Sequence, residues 1–109
     1  RAIQIFLTNK GYQVEIAATG PEGIERTRWF QPQVVLCDLA LPGMDGFTVA
    51  QQLRQEVGLG NLYLIAISGY GEEETRERAE KAGFDSYLAK PIEFRDLEKS
   101  LAEFSRGMR

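Results

Sequence analysis

Three residues of types that do chemistry stand at matching places in this sequence: Asp38, Ser68 and Lys90. Each closes a short apolar run. Val34-Val35-Leu36-Cys37 leads into Asp38, Leu62-Tyr63-Leu64-Ile65-Ala66-Ile67 into Ser68, and Ser86-Tyr87-Leu88-Ala89 into Lys90-Pro91. Singly they carry little. An Asp in such a place often caps a turn, and a Lys-Pro step is notable mainly because its peptide bond can be cis and then aims the side chain. Together they offer a carboxylate, a hydroxyl and an ammonium. A phosphoryl group on Asp38 would bring about two negative charges and three acceptor oxygens. Lys90 supplies a point charge for one oxygen and Ser68 a hydroxyl donor for another. The 109 residues include no His and one Cys, so Asp38 is the candidate nucleophile, and an aspartyl phosphate is a known kind of covalent intermediate.

The same counts exclude other chemistries. Without His, metal sites built on imidazole and thiolate are out of reach, as are His-based acid–base catalysis and His-containing triads. Any metal would be a hard cation held by oxygen, such as Mg²⁺. A single cysteine allows no internal disulfide, which fits a reducing compartment and a cytoplasmic setting. The net charge is −3, from 13 basic and 16 acidic residues, with no run of Lys or Arg. Direct contact with nucleic acid or an anionic membrane surface is therefore not expected. No apolar stretch is long enough to span a bilayer, and no signal peptide is visible. Hydrophobic residues make up 43% of the chain, enough for the core of one domain covering residues 1–109.

Positioning the trio requires strands that alternate with helices. Residues 1–10 place Ala2, Ile3, Phe6 and Leu7 on one helical face, and Gly11 stops the run. Tyr12 to Ala17 alternates apolar and polar, which reads as a strand near a sheet edge. Thr19-Gly20-Pro21-Glu22 is a helix start with the elements of a capping box. That helix ends before Gln31-Pro32, with Trp29 and Phe30 expected to pack beneath it. The Val34 run reads as a strand covered on both faces. Past the loop Leu39 to Asp45, a helix capped by Asp45 turns Phe47, Val49, Ala50 and Leu53 inward. Leu62–Ile67 is a second buried strand. A charged helix over 72–82 then has Glu72/Arg76, Glu74/Arg78 and Glu77/Lys81 in the favourable i,i+4 order. Ser86–Ala89 is a third buried strand, and a last helix from about Glu93 buries Phe94, Leu97, Leu101 and Phe104. Such alternation predicts an α/β fold, a doubly wound parallel sheet with helices on both faces. Ligands in such sheets sit beyond the carboxyl ends of the strands, the edge on which Asp38, Ser68 and Lys90 converge.

With these residues in view, the chain resembles the receiver domains of two-component response regulators over almost its whole length. The resemblance rests on Val-Val-Leu-Cys-Asp38, Leu41-Pro42-Gly43-Met44-Asp45-Gly46, Ile67-Ser68-Gly69-Tyr70, Ala82-Gly83-Phe84-Asp85, Tyr87 and Lys90-Pro91. It implies that Asp38 is the phospho-acceptor, Ser68 the switch hydroxyl, Tyr87 the switch aromatic and Lys90 the phosphate-binding lysine. It also implies a Mg²⁺ cofactor, with Asp38 and the backbone carbonyl of Ala40 among its ligands, and has Ala40 and Tyr70 tuning dephosphorylation. The implied partners are a sensor histidine kinase or phosphotransfer protein and a downstream output domain or protein, with dimerisation open. The domain would be a switch that assists its own phosphotransfer and dephosphorylation rather than an enzyme.

The sequence departs from the family pattern in one respect. A complete receiver begins with a buried strand ending in an acidic pair that holds Mg²⁺, whereas Arg1 already lies in the first helix. In the family's strand order, 2-1-3-4-5, the missing strand is central. A gap is therefore expected between Tyr12–Ala17 and Val34–Cys37, and a weak metal site at Asp38. The expectation is that the natural protein carries that strand ahead of Arg1. Two other readings compete. A phosphorylation-independent interaction or dimerisation module would leave partner binding unchanged in Asp38→Asn. A phosphatase resembling the haloacid dehalogenases needs an Asp two residues after the nucleophile, where this chain has Ala40. Cys37 is expected to face away from Asp38 as a buried structural thiol, and Met44 either rims the site or fills space.

Overall fold

In the computed structural model, residues 2–56, 58, 61–69 and 73–107 are described. Five helices and three strands follow one another along them, alternating from α2 onward: α1 Ala2–Asn9, α2 Gly20–Phe30, β1 Val34–Asp38, α3 Gly46–Gln55, β2 Tyr63–Ser68, α4 Glu73–Ala82, β3 Ser86–Ala89 and α5 Phe94–Gly107. The strands pair in parallel in the order β1-β2-β3. Helix starts and stops follow local chemistry. Thr19 caps α2 by accepting from the Glu22 amide at 3.2 Å, while Glu22 reaches back to the Ala18 amide at 3.0 Å. Asp45 caps α3 through the Thr48 amide at 2.9 Å. Gly11 leaves α1 with φ +98°, a region that favours glycine.

Strand alternation divides the core in two. On one face Cys37, Leu64 and Ala66 pack with Ile24 of α2, Val49, Ala50 and Leu53 of α3, and Ala79 and Ala82 of α4. On the other, Ile65 and Leu88 meet Leu7 of α1 and Leu97 and Leu101 of α5. The sheet is thus covered by helices on both faces, as expected for a doubly wound fold. Ser86 and Ser100 tie β3 to α5 through hydroxyls 2.7 Å apart.

Five expectations are corrected. Tyr12–Ala17 forms no strand: the segment runs without a sheet partner, although Val14 still packs on the second core cluster. Between it and β1 lies a groove of about 1120 Å³, whose lining includes Leu7, Val14, Ile16, Val35 and Cys37. β1 is accordingly only half-covered, in contrast to the almost fully buried β2. Trp29 does not pack beneath α2 but stands 62% exposed, edge-on to Phe30. Phe94 is also exposed, stacked on Phe6 of α1 at 4.2 Å, and Phe104 is half-buried against Tyr63. On α4, Arg78 lies over the Phe47 ring and Arg76 over the Tyr87 ring. Neither Glu74/Arg78 nor Glu77/Lys81 forms an ion pair among the described residues, and Glu72 lies outside them.

Candidate functional site

The carboxyl ends of the three strands are drawn together by main-chain bonds. Leu39 N–H donates to Ile67 C=O at 2.9 Å, and Lys90 N–H to Ser68 C=O at 2.8 Å. These bonds carry the ladder one residue past β1 and β3, so that Asp38, Ser68 and Lys90 sit side by side at one edge. Across 52 residues of sequence, Lys90 Nζ donates to Asp38 Oδ2 at 2.5 Å. The other carboxylate oxygen, Oδ1, accepts from the Ala40 amide at 2.8 Å. Both oxygens of Asp38 are therefore oriented, one by a charge and one by a backbone dipole. The pair is open to solvent, Asp38 at 31% and Lys90 at 47% side-chain exposure, so its own contribution to stability is small. Its significance is placement. Ser68 is 2% exposed at the end of β2, between the two. The Lys90–Pro91 peptide is cis.

Tyr87, one face over from Leu88 on β3, packs half-buried on the first core cluster with the Arg76 guanidinium 4.5 Å from its ring centroid. Cys37 points away from the site into that same cluster, as expected, and burial, with the nearby Asp38 and Asp45 charges adding to it, pushes its thiol up to about 12. Such a thiol is inert at neutral pH. Met44 fills space: its side chain packs against the first core cluster and close to Gly20. The Asp45 carboxyl is held below its usual range, chiefly by the hydrogen bond from the Thr48 amide, with the Arg78 guanidinium adding to it. Tyr70 lies outside the described residues.

Gly46 is the site residue that sequence reasoning passed over. It opens α3 directly against the Asp38 backbone, and a Cβ there would stand 2.5 Å from the Asp38 carbonyl oxygen and 2.8 Å from Leu39 Cα. Its N–H donates to Leu39 C=O at 3.1 Å. The Asp-Gly pair at 45–46 was the available signal: an N-cap followed by a residue without a side chain, placed where a helix must touch a strand end.

The chain matches the response regulator receiver domain family over residues 1–102. It belongs to that family. It is 33% identical over 100 residues to the DNA-binding dual master transcriptional regulator RpaA of Synechocystis, an alignment covering 92% of this chain and 40% of RpaA. The chain thus spans less than half of that relative's length. Among solved structures, a putative response regulator from Chloroflexus aurantiacus superposes with a TM-score of 0.89 at 29% identity, covering 94% of this chain and 84% of that one. The receiver domain of a sensor histidine kinase from Pseudomonas aeruginosa, solved with a magnesium ion coordinated in its active-site cleft, superposes with a TM-score of 0.85 at 26% identity, covering 94% and 84%. This receiver chain is therefore a signalling domain of the phospho-accepting, two-component class.

Receiver domains typically bind Mg²⁺. In this chain the donor set is thin. Asp38 and the Ala40 carbonyl offer two oxygens toward a near-octahedral shell, and both Asp38 oxygens already accept hydrogen bonds. Among the described residues, no group of three or more His, Cys, Asp or Glu could hold a metal ion. These residues alone do not fit a Mg²⁺ site. No described helix is long and apolar enough to cross a membrane.

Proposed function

We propose that residues 1–109 act as one phospho-accepting switch, in which Asp38 takes a phosphoryl group from the phosphohistidine of a sensor histidine kinase or phosphotransfer protein. The observation that carries this reading is the contact of Lys90 Nζ with Asp38 Oδ2 beside the buried Ser68. In the transfer, a carboxylate oxygen of Asp38 forms the new O–P bond as the donor's N–P bond breaks. The imidazole leaves with the electron pair of that bond and takes up a proton. The Ala40 amide holds the carboxylate in one orientation, which lowers the entropic part of the barrier. Lys90, already at the carboxylate, neutralises charge that builds on the phosphoryl oxygens. Ser68 then offers its hydroxyl to a second oxygen. Tyr87 shifts with it, and the surface around α4 and β3 changes for a downstream output domain or protein, in a cytoplasmic setting.

The test is phosphoryl uptake from acetyl phosphate and from a phosphohistidine donor, read by a phosphate-affinity gel and by loss of the label in hydroxylamine. Asp38→Asn should take up none. Lys90→Ala should slow uptake about 10- to 100-fold, the loss of one hydrogen bond to a charged group. Equal labelling of Asp38→Asn would sink the proposal. Partner binding that is indifferent to both phosphate and Asp38→Asn would favour a phosphorylation-independent interaction module instead.

A further inference from the structure

α4 is attached to the domain with little apolar burial of its own. Its sequence, EETRERAEKA, buries only Ala79 and Ala82, so apolar area does little to seat it. What it has instead are two arginines on aromatic rings. Residues two apart on a helix point to opposite flanks. Arg76 reaches β3, with its guanidinium carbon 4.5 Å from the Tyr87 ring centroid, and Arg78 reaches α3, 4.0 Å from that of Phe47. The helix is thereby pinned on both flanks, to the strand that leads into Lys90 and to the helix that follows the Asp38 loop. Both rings are half-buried on the same core cluster, which also includes Ala79 and Ala82.

We propose that Arg76 is a positioning residue of the switch: by lying over the Tyr87 ring it holds that ring packed on the core and couples its position to the seating of α4. The argument is one of competing contacts. A cation over an aromatic face is favourable when the ring is presented to it. If Tyr87 swings away from the core, Arg76 loses that face and the pin on the β3 flank is released. The pin on the α3 flank, Arg78 on Phe47, is untouched by such a swing, so α4 can shift about it. The inference rests on the reading of Tyr87 as a moving part of a phospho-switch, and its test separates the two.

The test uses the full chain labelled with fluorotyrosine, with the Tyr87 resonance assigned by Tyr87→Phe. Solvent exposure of the ring is read by fluorine NMR with and without acetyl phosphate. Arg76→Ala should raise the exposed population of Tyr87 about two- to fivefold, the range of an exposed cation–π contact. Arg76→Lys should restore most of the packed population, and Arg78→Ala should leave the Tyr87 resonance in place. An unchanged resonance in a folded Arg76→Ala protein overturns the proposal. So does an equal shift in Arg78→Ala, because the effect would then belong to α4 as a whole. If Arg76→Ala moves Tyr87 while acetyl phosphate does not, the pin stands and the phospho-switch reading falls.

Discussion

Gly46→Ala tests how closely α3 must approach the Asp38 backbone. Helix propensity alone predicts a gain, since Ala is favoured over Gly inside a helix by roughly 0.5–1 kcal/mol. The structure predicts a loss. The new Cβ would lie 2.5 Å from the Asp38 carbonyl oxygen, where contacts below 3.0 Å essentially do not occur, and 2.8 Å from Leu39 Cα. Both neighbours are backbone, so no side chain can rotate out of the way. Either α3 backs off or the end of β1 moves, by about 0.5 Å at least on a steep repulsive wall. Overpacking of this kind costs about 1–3 kcal/mol, which outweighs the propensity gain.

The displacement also has a direction. α3 begins at the residue whose N–H donates to Leu39 C=O, so relief of the clash loosens that bond and tilts Asp38 relative to Lys90. Urea denaturation should show a net loss of about 1–2 kcal/mol with an unchanged m-value. Phosphoryl uptake from acetyl phosphate should fall in the same variant, because the carboxylate is misplaced and not removed. Gly46→Ser, with a similar Cβ, should behave alike. A Gly46→Ala protein at least as stable as the parent, with normal uptake, would refute the reasoning.

Further outcomes follow from groups other than the Asp38–Lys90 pair. Arg54 donates to Leu62 C=O at 2.7 Å, to Gly83 C=O at 2.7 and 2.9 Å and to the Asp85 carboxylate at 2.6 Å, while Asp85 accepts the Leu64 amide at 2.8 Å. Arg54→Met should therefore cost about 2 kcal/mol in urea titration, after discounting for partial exposure, whereas Arg28→Met, in an exposed ion pair with Glu56, should leave the urea midpoint essentially in place. Cys37 gives a pH dependence. With a folded-state thiol near 12 against 9.0 for the free group, the unfolded chain releases its proton first, so stability falls as pH rises from about 9 toward about 12. Relative to Cys37→Val, the parent should lose up to about 1.4 kcal/mol per pH unit in that window, and native Cys37 should resist alkylation at pH 8.

The trio at the strand ends was legible because parallel α/β sheets put ligands at one edge, and short apolar runs mark that edge in a single sequence. The caps were legible for a similar reason. Thr19 with Glu22 and Asp45 with Thr48 act over three residues, a range at which residue type decides geometry. The partners of α4 were not. The i,i+4 order of Glu74 and Arg78 describes a helix in isolation, where such a pair contributes a few tenths of a kcal/mol. In the folded domain each arginine can instead cover an aromatic ring, a stronger contact that depends on what lies across the helix. Trp29 escaped for the opposite reason: its hydrophobicity suggested burial, but α2 turns Ile24 and Thr27 inward, and position 29 falls on the other side.

Tyr12–Ala17 makes the general point: of its alternating apolar residues Val14 packs on the core, Tyr12 and Ile16 stand exposed, and no strand forms. Alternation selects which side chains face the core, and Val14 does pack there. A strand, however, is a property of two segments, since its amides and carbonyls must be shared with a neighbour. Here the neighbouring position is the groove of about 1120 Å³, with β1 on its far side. The consequence reaches Asp38. β2 is flanked by strands and buried along nearly its whole length, and Ser68 pairs with Ala89 of β3. Asp38, at the end of β1, is positioned by the pairing of β1 with β2, by the Leu39–Ile67 and Gly46–Leu39 bonds, by the Ala40 amide and by Lys90. The Asp38 carboxylate is held in part by the loop that follows it, which is why a single added methyl at Gly46 is expected to reach it.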